Sequence, residues 1–322
     1  MGKNLRVLYR LANSSEINLI EGLEEAGISE GFVFADFSRE KTFTLKPNLQ
    51  KIISRDEIAP LDFSSIKKTD WQSTSRDDYD FGFTIIQNEI EHKHIHKAIL
   101  SRKKVIDKKV NAVQLFLDLE ENYNESHVFL IETPDDVLWI GATPETLLTE
   151  FDGDFETMSL AGTKKDLETD WTSKEYEEQR IVTNTIVGEL FKLGIDPVIS
   201  DLETVKAGMV YHLKNKINFR SDKSVLEIAE ALHPTPAISG SPKIQAISTI
   251  KIPENHNRDY YCGIGGPLSI SGQTHLFVNL RCAAISENQI CLFVGGGITK
   301  DSILNKEWEE CERKAQSLLS YL

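Results

Sequence analysis

No cysteine occurs before Cys262, and the four present (Cys262, Cys282, Cys291 and Cys311) show no CxxC spacing, which removes a disulfide framework and leaves structural zinc a remote reading. They are expected to be reduced, buried small residues. No apolar run approaches the roughly 20 residues of a membrane span. The basic start MGKNLRVLYR is not followed by an uninterrupted apolar segment, so no membrane association is expected and a cytoplasmic location is. Arg6 stands where a lipidation signal at Gly2 needs a small hydroxyl residue. Pro/Gly/Ser-rich linkers and repeats of solenoid period are also absent, which favours one integrated domain. Basic residues are outnumbered, 36 against 50 acidic, and the formal charge of −14 repels nucleic acid and acidic surfaces. An anionic ligand would need clustered Lys and Arg, or a metal ion, to override that field.

What is there reads as blocks of strands with helices between them. Residues 31–37 and 41–47 have strand character, and the polar stretch over 64–78 reads as a loop. A helix over 87–95 would carry His92, His94 and His96 on a charged face, followed by a strand over 96–106 and a helix over 111–123. Segments 127–132 and 137–142 look like paired strands, and Asp152-Gly153 marks a hairpin inside 147–160. Thr172 and Glu175 form a capping-box pattern that opens a helix to about Leu193, where Gly194 and Pro197 stop it. A short helix over 224–232, an antiparallel meander from Tyr260 to Thr299 and a closing helix from Asn305 to Leu322 complete the reading. The pattern predicts an α+β fold rather than a parallel doubly wound sheet. Residues 1–85 carry little motif information.

Two pairs of glutamates at i, i+3 spacing, Glu175 with Glu178 and Glu307 with Glu310, each occupy one face of a helix. Two such helices can surround a hard divalent cation with oxygen ligands, although such pairs in an acidic protein are usually a solvated face. Gly295, Gly296 and Gly297 end a strand, where backbone N–H groups can approach an anion; a bulge or tight turn is the commoner meaning. The G-x-G-x-x-G nucleotide fingerprint is absent.

The ordered segments LHPTPAISGSPKIQA, RDYYCG, VNLRCA, LFVGGGI and EWEECERK, preceded by KAILSR, GATPETLL, SLAGTKK, KEYEEQ and VYHLKNKI, resemble the chorismate-binding enzymes. That family includes anthranilate, aminodeoxychorismate, salicylate and isochorismate synthases. The resemblance covers roughly residues 85–320, with 86–322 as the catalytic region and 1–85 as the N-terminal part of the same fold. It implies large antiparallel sheets packed with helices, chorismate as substrate and Mg²⁺ held by Glu175, Glu178, Glu307 and Glu310. Lys97 matches the base of the water-using members and Glu145 the general acid. The first role needs a neutral amine and the second a protonated carboxyl. Arg281 and Tyr261 match residues that hold the pyruvyl carboxylate, with the glycines at 295–297 serving the same anion. Gly162, Thr163, His212, Thr235 and Lys314 match further substrate contacts.

Three positions separate the chemistries. Ala161 replaces the nucleophilic lysine of aminodeoxychorismate synthases, Lys97 replaces the glutamine of ammonia-using members, and His233–Ala237 has the isochorismate-synthase form HPTPA. Water is therefore the expected nucleophile, and the activity an isomerase serving a menaquinone or siderophore pathway. Gln179, where many members carry histidine, the segment SGSPK and Gly296 depart from that pattern. Salicylate synthase is the second reading, anthranilate synthase component I the third, and a non-catalytic relative would be expected to lose Lys97 or Glu145. A monomer without a glutaminase subunit is expected.

Overall fold

The computed structural model describes residues 3–63, 66–207 and 210–322; Gly2 and the first two positions of the 64–78 loop lie outside them. A single antiparallel ladder joins every strand. From one end it runs β13 (Gly240–Ser241), β5 (Lys97–Ile106), β17 (Ile290–Thr299), β16 (Cys282–Ile285) and β7 (Leu138–Thr143). It continues through β6 (His127–Glu132), β1 (Asn4–Arg10), β2 (Ile17–Glu24), β4 (Thr42–Ile52) and β3 (Gly31–Ala35). It then passes to β14 (Ile264–Leu268), β15 (Gln273–Val278), β8 (Thr146–Phe151), β9 (Asp154–Lys164) and β12 (Val210–Arg220), which also pairs with β11 (Glu203–Ala207) and β10 (Val198–Ile199). The helices are α1 (Arg55–Ile58), α2 (Arg76–Glu91), α3 (Ala112–Asn122), α4 (Ser173–Lys192), α5 (Val225–Leu232), α6 (Lys243–Ile250) and α7 (Leu304–Leu319). No helix among the described residues is long and apolar enough to cross a membrane.

Period-two alternation sends neighbouring residues of one strand into two cores. Phe129 and Ile131 of β6 join an aromatic interior with Phe34, Trp139 and Phe277, while Val128 and Leu130 point to the opposite face, which α2, α3, α6 and α7 cover. Phe129 stacks on Phe277 at 5.1 Å between centroids, and Phe34 on Tyr260 at 4.4 Å. Burial on both faces is why HVFLIE and VLWIGA are almost continuously apolar. All four cysteines are unpaired and buried, as expected of small core residues.

The α+β fold and the single domain are observed, and most elements fall where the sequence puts them. Two expectations change, and one strand was not anticipated. The helix expected over 87–95 is the end of α2, which begins at Arg76 behind an Ser75 N-cap and stops at Glu91; His92 is its C-cap and Lys93 has φ +62°, so the three histidines do not share a helical face. The stretch from Tyr260 to Thr299 is two hairpins rather than one meander, because β15 takes β8 as its second neighbour and β16 takes β7. Arg281, with φ +48°, lies at the break between them. Strand β1 escaped the sequence reading because Arg10 interrupts its apolar pattern; the guanidinium is buried and donates to the Leu11 carbonyl at 3.0 Å and the Tyr123 carbonyl at 2.6 Å.

Candidate active site

The ends of β5, β9, β12 and β17 meet α4 and α7 around a cavity of about 180 Å³. Fourteen of the sixteen residues expected from the sequence line it; Thr235 and Gly296 stand one layer behind.

Lys97 opens β5, buried, with its ammonium 2.5 Å from Glu178 Oε1. Burial alone would raise the Glu178 carboxyl, but the charge and hydrogen bond of Lys97 outweigh it and hold the group below its ordinary value. The three glycines do not end a strand: β17 runs through them to Thr299, with Gly295 opposite Ser101, Gly296 opposite Leu100 and Gly297 opposite Ile99. Their lack of side chains makes room for the site. A Cβ on Gly297 would fall 2.7 Å from Lys97 Cε, and one on Gly295 2.9 Å from the Tyr261 hydroxyl. A Cβ on Gly296 would stop 3.4 Å from Glu307 Oε2, an ordinary contact.

Glu145 occupies the two-residue link between β7 and β8, not a helix N-terminus. It is buried, and desolvation pushes its carboxyl up to about 7 even though the Thr235 hydrogen bond and the Lys97 charge pull downward. Thr235 Oγ1 donates to Glu145 Oε1 at 3.3 Å, so Thr235 acts on the acid rather than on the cavity.

Arg281 does not lie in a strand. It precedes β16, and among the described residues its guanidinium has neither an ion-pair partner nor a hydrogen bond, although protein packs around it and burial pulls its pKa down. An unpaired guanidinium facing a cavity calls for an anion. His212 sits at the irregularity where the β9–β12 register shifts, a device that re-aims a side chain. Its Nδ1 lies 2.6 Å from the Gly162 carbonyl, which requires the proton on that nitrogen and leaves Nε2 as the acceptor. Burial, then the Arg281 charge, lowers it to about 4, so the ring is neutral. The Tyr261 ring stacks on Phe293 at 5.7 Å.

The four expected metal ligands line the cavity without being gathered into a ready cage, and among the described residues no such group of three is formed. Glu175 Oε2 accepts from the Thr172 backbone at 2.9 Å in the capping box, Glu178 is paired with Lys97, and Glu310 lies 2.8 Å from Lys314, whose charge holds it at about 2. Glu307 has no cation partner; burial raises its carboxyl and Glu310 adds to the rise. An all-carboxylate wall in which two members, Glu175 and Glu307, have no cation partner among the described residues suits a hard divalent cation. A further cation at the cavity lay outside the sequence reading of the site, and the departure at Gln179 finds its explanation. Lys174, in the first turn of α4, lines the cavity with no ion pair among the described residues, and only its position beside Glu175 and Glu178 could have marked it. Gln179 is a packing residue, donating to Ser159 Oγ at 2.9 Å and Asn215 Oδ1 at 3.0 Å, which ties α4 to β9 and β12.

The family model described as chorismate binding enzyme matches residues 38–322. The chain belongs to the chorismate-binding enzyme family. Within it, similar relatives include isochorismate synthase MenF of Pasteurella multocida, 31% identical over 63% of this chain and 51% of that protein. Anthranilate synthase component 1 of Aquifex aeolicus is 28% identical over 58% of this chain and 41% of its own length. The chain thus spans about half the length of these curated relatives. The fold is shared with two solved members of the family. MenF, the menaquinone-specific isochorismate synthase from Escherichia coli, has a TM-score of 0.85 at 20% identity, covering 99% of this chain and 88% of that one. Anthranilate synthase component I of Streptococcus pneumoniae has a TM-score of 0.73 at 16% identity, covering 99% and 92%.

Proposed function

We propose that the chain is a Mg²⁺-dependent isochorismate synthase. The observation that carries this reading is one cavity holding a buried lysine, a carboxyl kept protonated near neutrality and an unpaired guanidinium. In the proposed reaction Lys97, acting in its neutral amine form, takes a proton from water, which attacks the ring carbon beside the ring carboxylate. The ring double bond shifts, and Glu145 protonates the departing hydroxyl, so one water enters and one leaves. Arg281 and Tyr261 hold the pyruvyl carboxylate, with Gly162, Thr163, His212 and Lys314 around the remainder. When bound by Glu175, Glu178, Glu307 and Glu310, Mg²⁺ would supply positive charge to the ring carboxylate. Residues 1–85 are taken as part of the same catalytic unit, acting without a glutaminase subunit. Incubation with chorismate and Mg²⁺, with products resolved by chromatography, tests the reading: isochorismate is expected, salicylate with pyruvate would reassign the enzyme, and ammonia-dependent anthranilate would overturn it.

Excess chelator is expected to abolish turnover, and Glu178→Gln or Glu310→Gln to do the same at ordinary Mg²⁺, since each removes one charge from the acidic wall. Turnover undiminished in chelator would refute the metal assignment. Gly297→Ala should cost on the order of 10²-fold in kcat/KM, the penalty of displacing a reacting group by about an ångström. Gly296→Ala, which meets only an ordinary contact, is the control and should stay close to the unsubstituted enzyme.

A further inference from the structure

A second cavity, of about 90 Å³, opens behind the aromatic wall of the first. Trp71, Trp139, Tyr260 and Phe293 surround it, with Lys103 from β5 at its side. Phe293 belongs to both cavities, stacked on Trp139 at 5.2 Å and on Tyr261 at 5.7 Å, so three rings bridge them. The neutral polar groups are donors. The indole N–H of Trp71, the indole N–H of Trp139, the Tyr260 hydroxyl and the Lys103 ammonium find no acceptor among the described residues. Indole and ammonium groups can only donate. Asp135 and Asp259 also line the cavity, each with a cation beside it: Asp259 lies 3.1 Å from Lys41, and Asp135, which accepts from Thr133, lies 3.8 Å from Lys67, itself a lining residue. Among the described residues Lys103 is therefore the lining charge without a counter-charge, set beside flat apolar walls and free donors.

We propose that this cavity binds a small planar monocarboxylate, its carboxylate held by Lys103 and the neighbouring neutral donors and its apolar body against Trp139, Tyr260 and Phe293. A cation would have to displace Lys41 or Lys67 from the two lining carboxylates, and a neutral apolar molecule would leave the free donors unanswered. The size limits the ligand to a single ring with its edge at the mouth, since an apolar cavity known to take up benzene measures about 150 Å³. The nearest competing site for such an anion is Arg281 in the first cavity, and the test separates the two.

Sodium benzoate, titrated calorimetrically into the full chain at fixed ionic strength, is the probe. Saturable binding is expected in the unsubstituted protein and in Arg281→Gln. It should weaken tenfold or more in Lys103→Gln, about 1.4 kcal/mol, and recover in part in Lys103→Arg; benzamide, lacking the charge, should not bind. Trp71→Leu, which removes one donor and one wall, is expected to weaken binding too and serves if Lys103→Gln does not fold. Benzoate affinity unchanged in both Lys103→Gln and Trp71→Leu overturns the proposal. So does its loss in Arg281→Gln, which would put benzoate in the first cavity, or failure to approach saturation by about 10 mM, where affinity falls below about 3 kcal/mol.

Discussion

Lys97→Ala should lower the rate of isochorismate formation by about 10²–10⁴-fold, the range over which a positioned base contributes. The ion pair with Glu178 makes a second measurement necessary, because losing Lys97 also strips a buried carboxylate of its partner. If Lys97 is the base, the freed Glu178 should leave Mg²⁺ affinity equal to or tighter than before, as read by calorimetric titration with MgCl₂, while turnover collapses. If turnover and Mg²⁺ affinity fell together and saturating Mg²⁺ restored the rate, Lys97 would be a positioning residue for the acidic wall and the base would have to be sought elsewhere.

Glu145→Gln is expected to cost on the order of 10²-fold or more in rate and, in the same molecule, to gain stability. Desolvation raises the Glu145 carboxyl from its ordinary value near 4.5 to about 7. Between those values the folded chain holds a proton that the unfolded chain has released, so stability falls as pH rises through that window. Ionised at pH 8, Glu145 is a buried charge whose cost can reach about 3 kcal/mol; the glutamine carries none. Heat denaturation should therefore show Glu145→Gln more stable than the unsubstituted protein at pH 8 and indistinguishable from it at pH 4. The acid must be protonated to act, so kcat/KM should decline as pH rises through about 7, and this limb should vanish in the variant. A variant that kept its rate and its alkaline limb would remove Glu145 from the chemistry.

The sequence disclosed the elements whose signals are local. The capping box at Thr172 and Glu175, the Asp152-Gly153 turn with both residues at positive φ, and the double-faced strands around Phe129 and Trp139 are each written in a few adjacent residues. What it withheld depends on distant partners. Arg10 breaks the pattern of β1 because its acceptors are carbonyls of residues 123 and 124, and nothing near Arg10 announces them. For the candidate site, family motifs indicated which residues should meet, and fourteen of them line one cavity. The reasons for the glycines were not legible: backbone access to an anion was the reading, whereas the observed spacing is set by the side chains of Lys97 and Tyr261. Lys174 and the donors of the second cavity were equally silent, since an unpaired cation is recognisable only once its neighbours are known.

The ladder has a consequence for how the molecule comes into being. Strand β5 pairs with β17, β3 with β14 and β7 with β16, so partners on the ribosome are separated by well over a hundred positions, and the cavity walls include Lys97 and Lys314. Contacts of such sequence separation form slowly, because the intervening chain must first be ordered. A nascent chain short of α7 lacks Glu307 and Glu310, and one short of β17 leaves the long edge of β5 bare. A cation held by Glu307 and Glu310 could therefore not template a chain that still lacks α7; the cavity would be complete only after β17 and α7 have packed against the earlier strands.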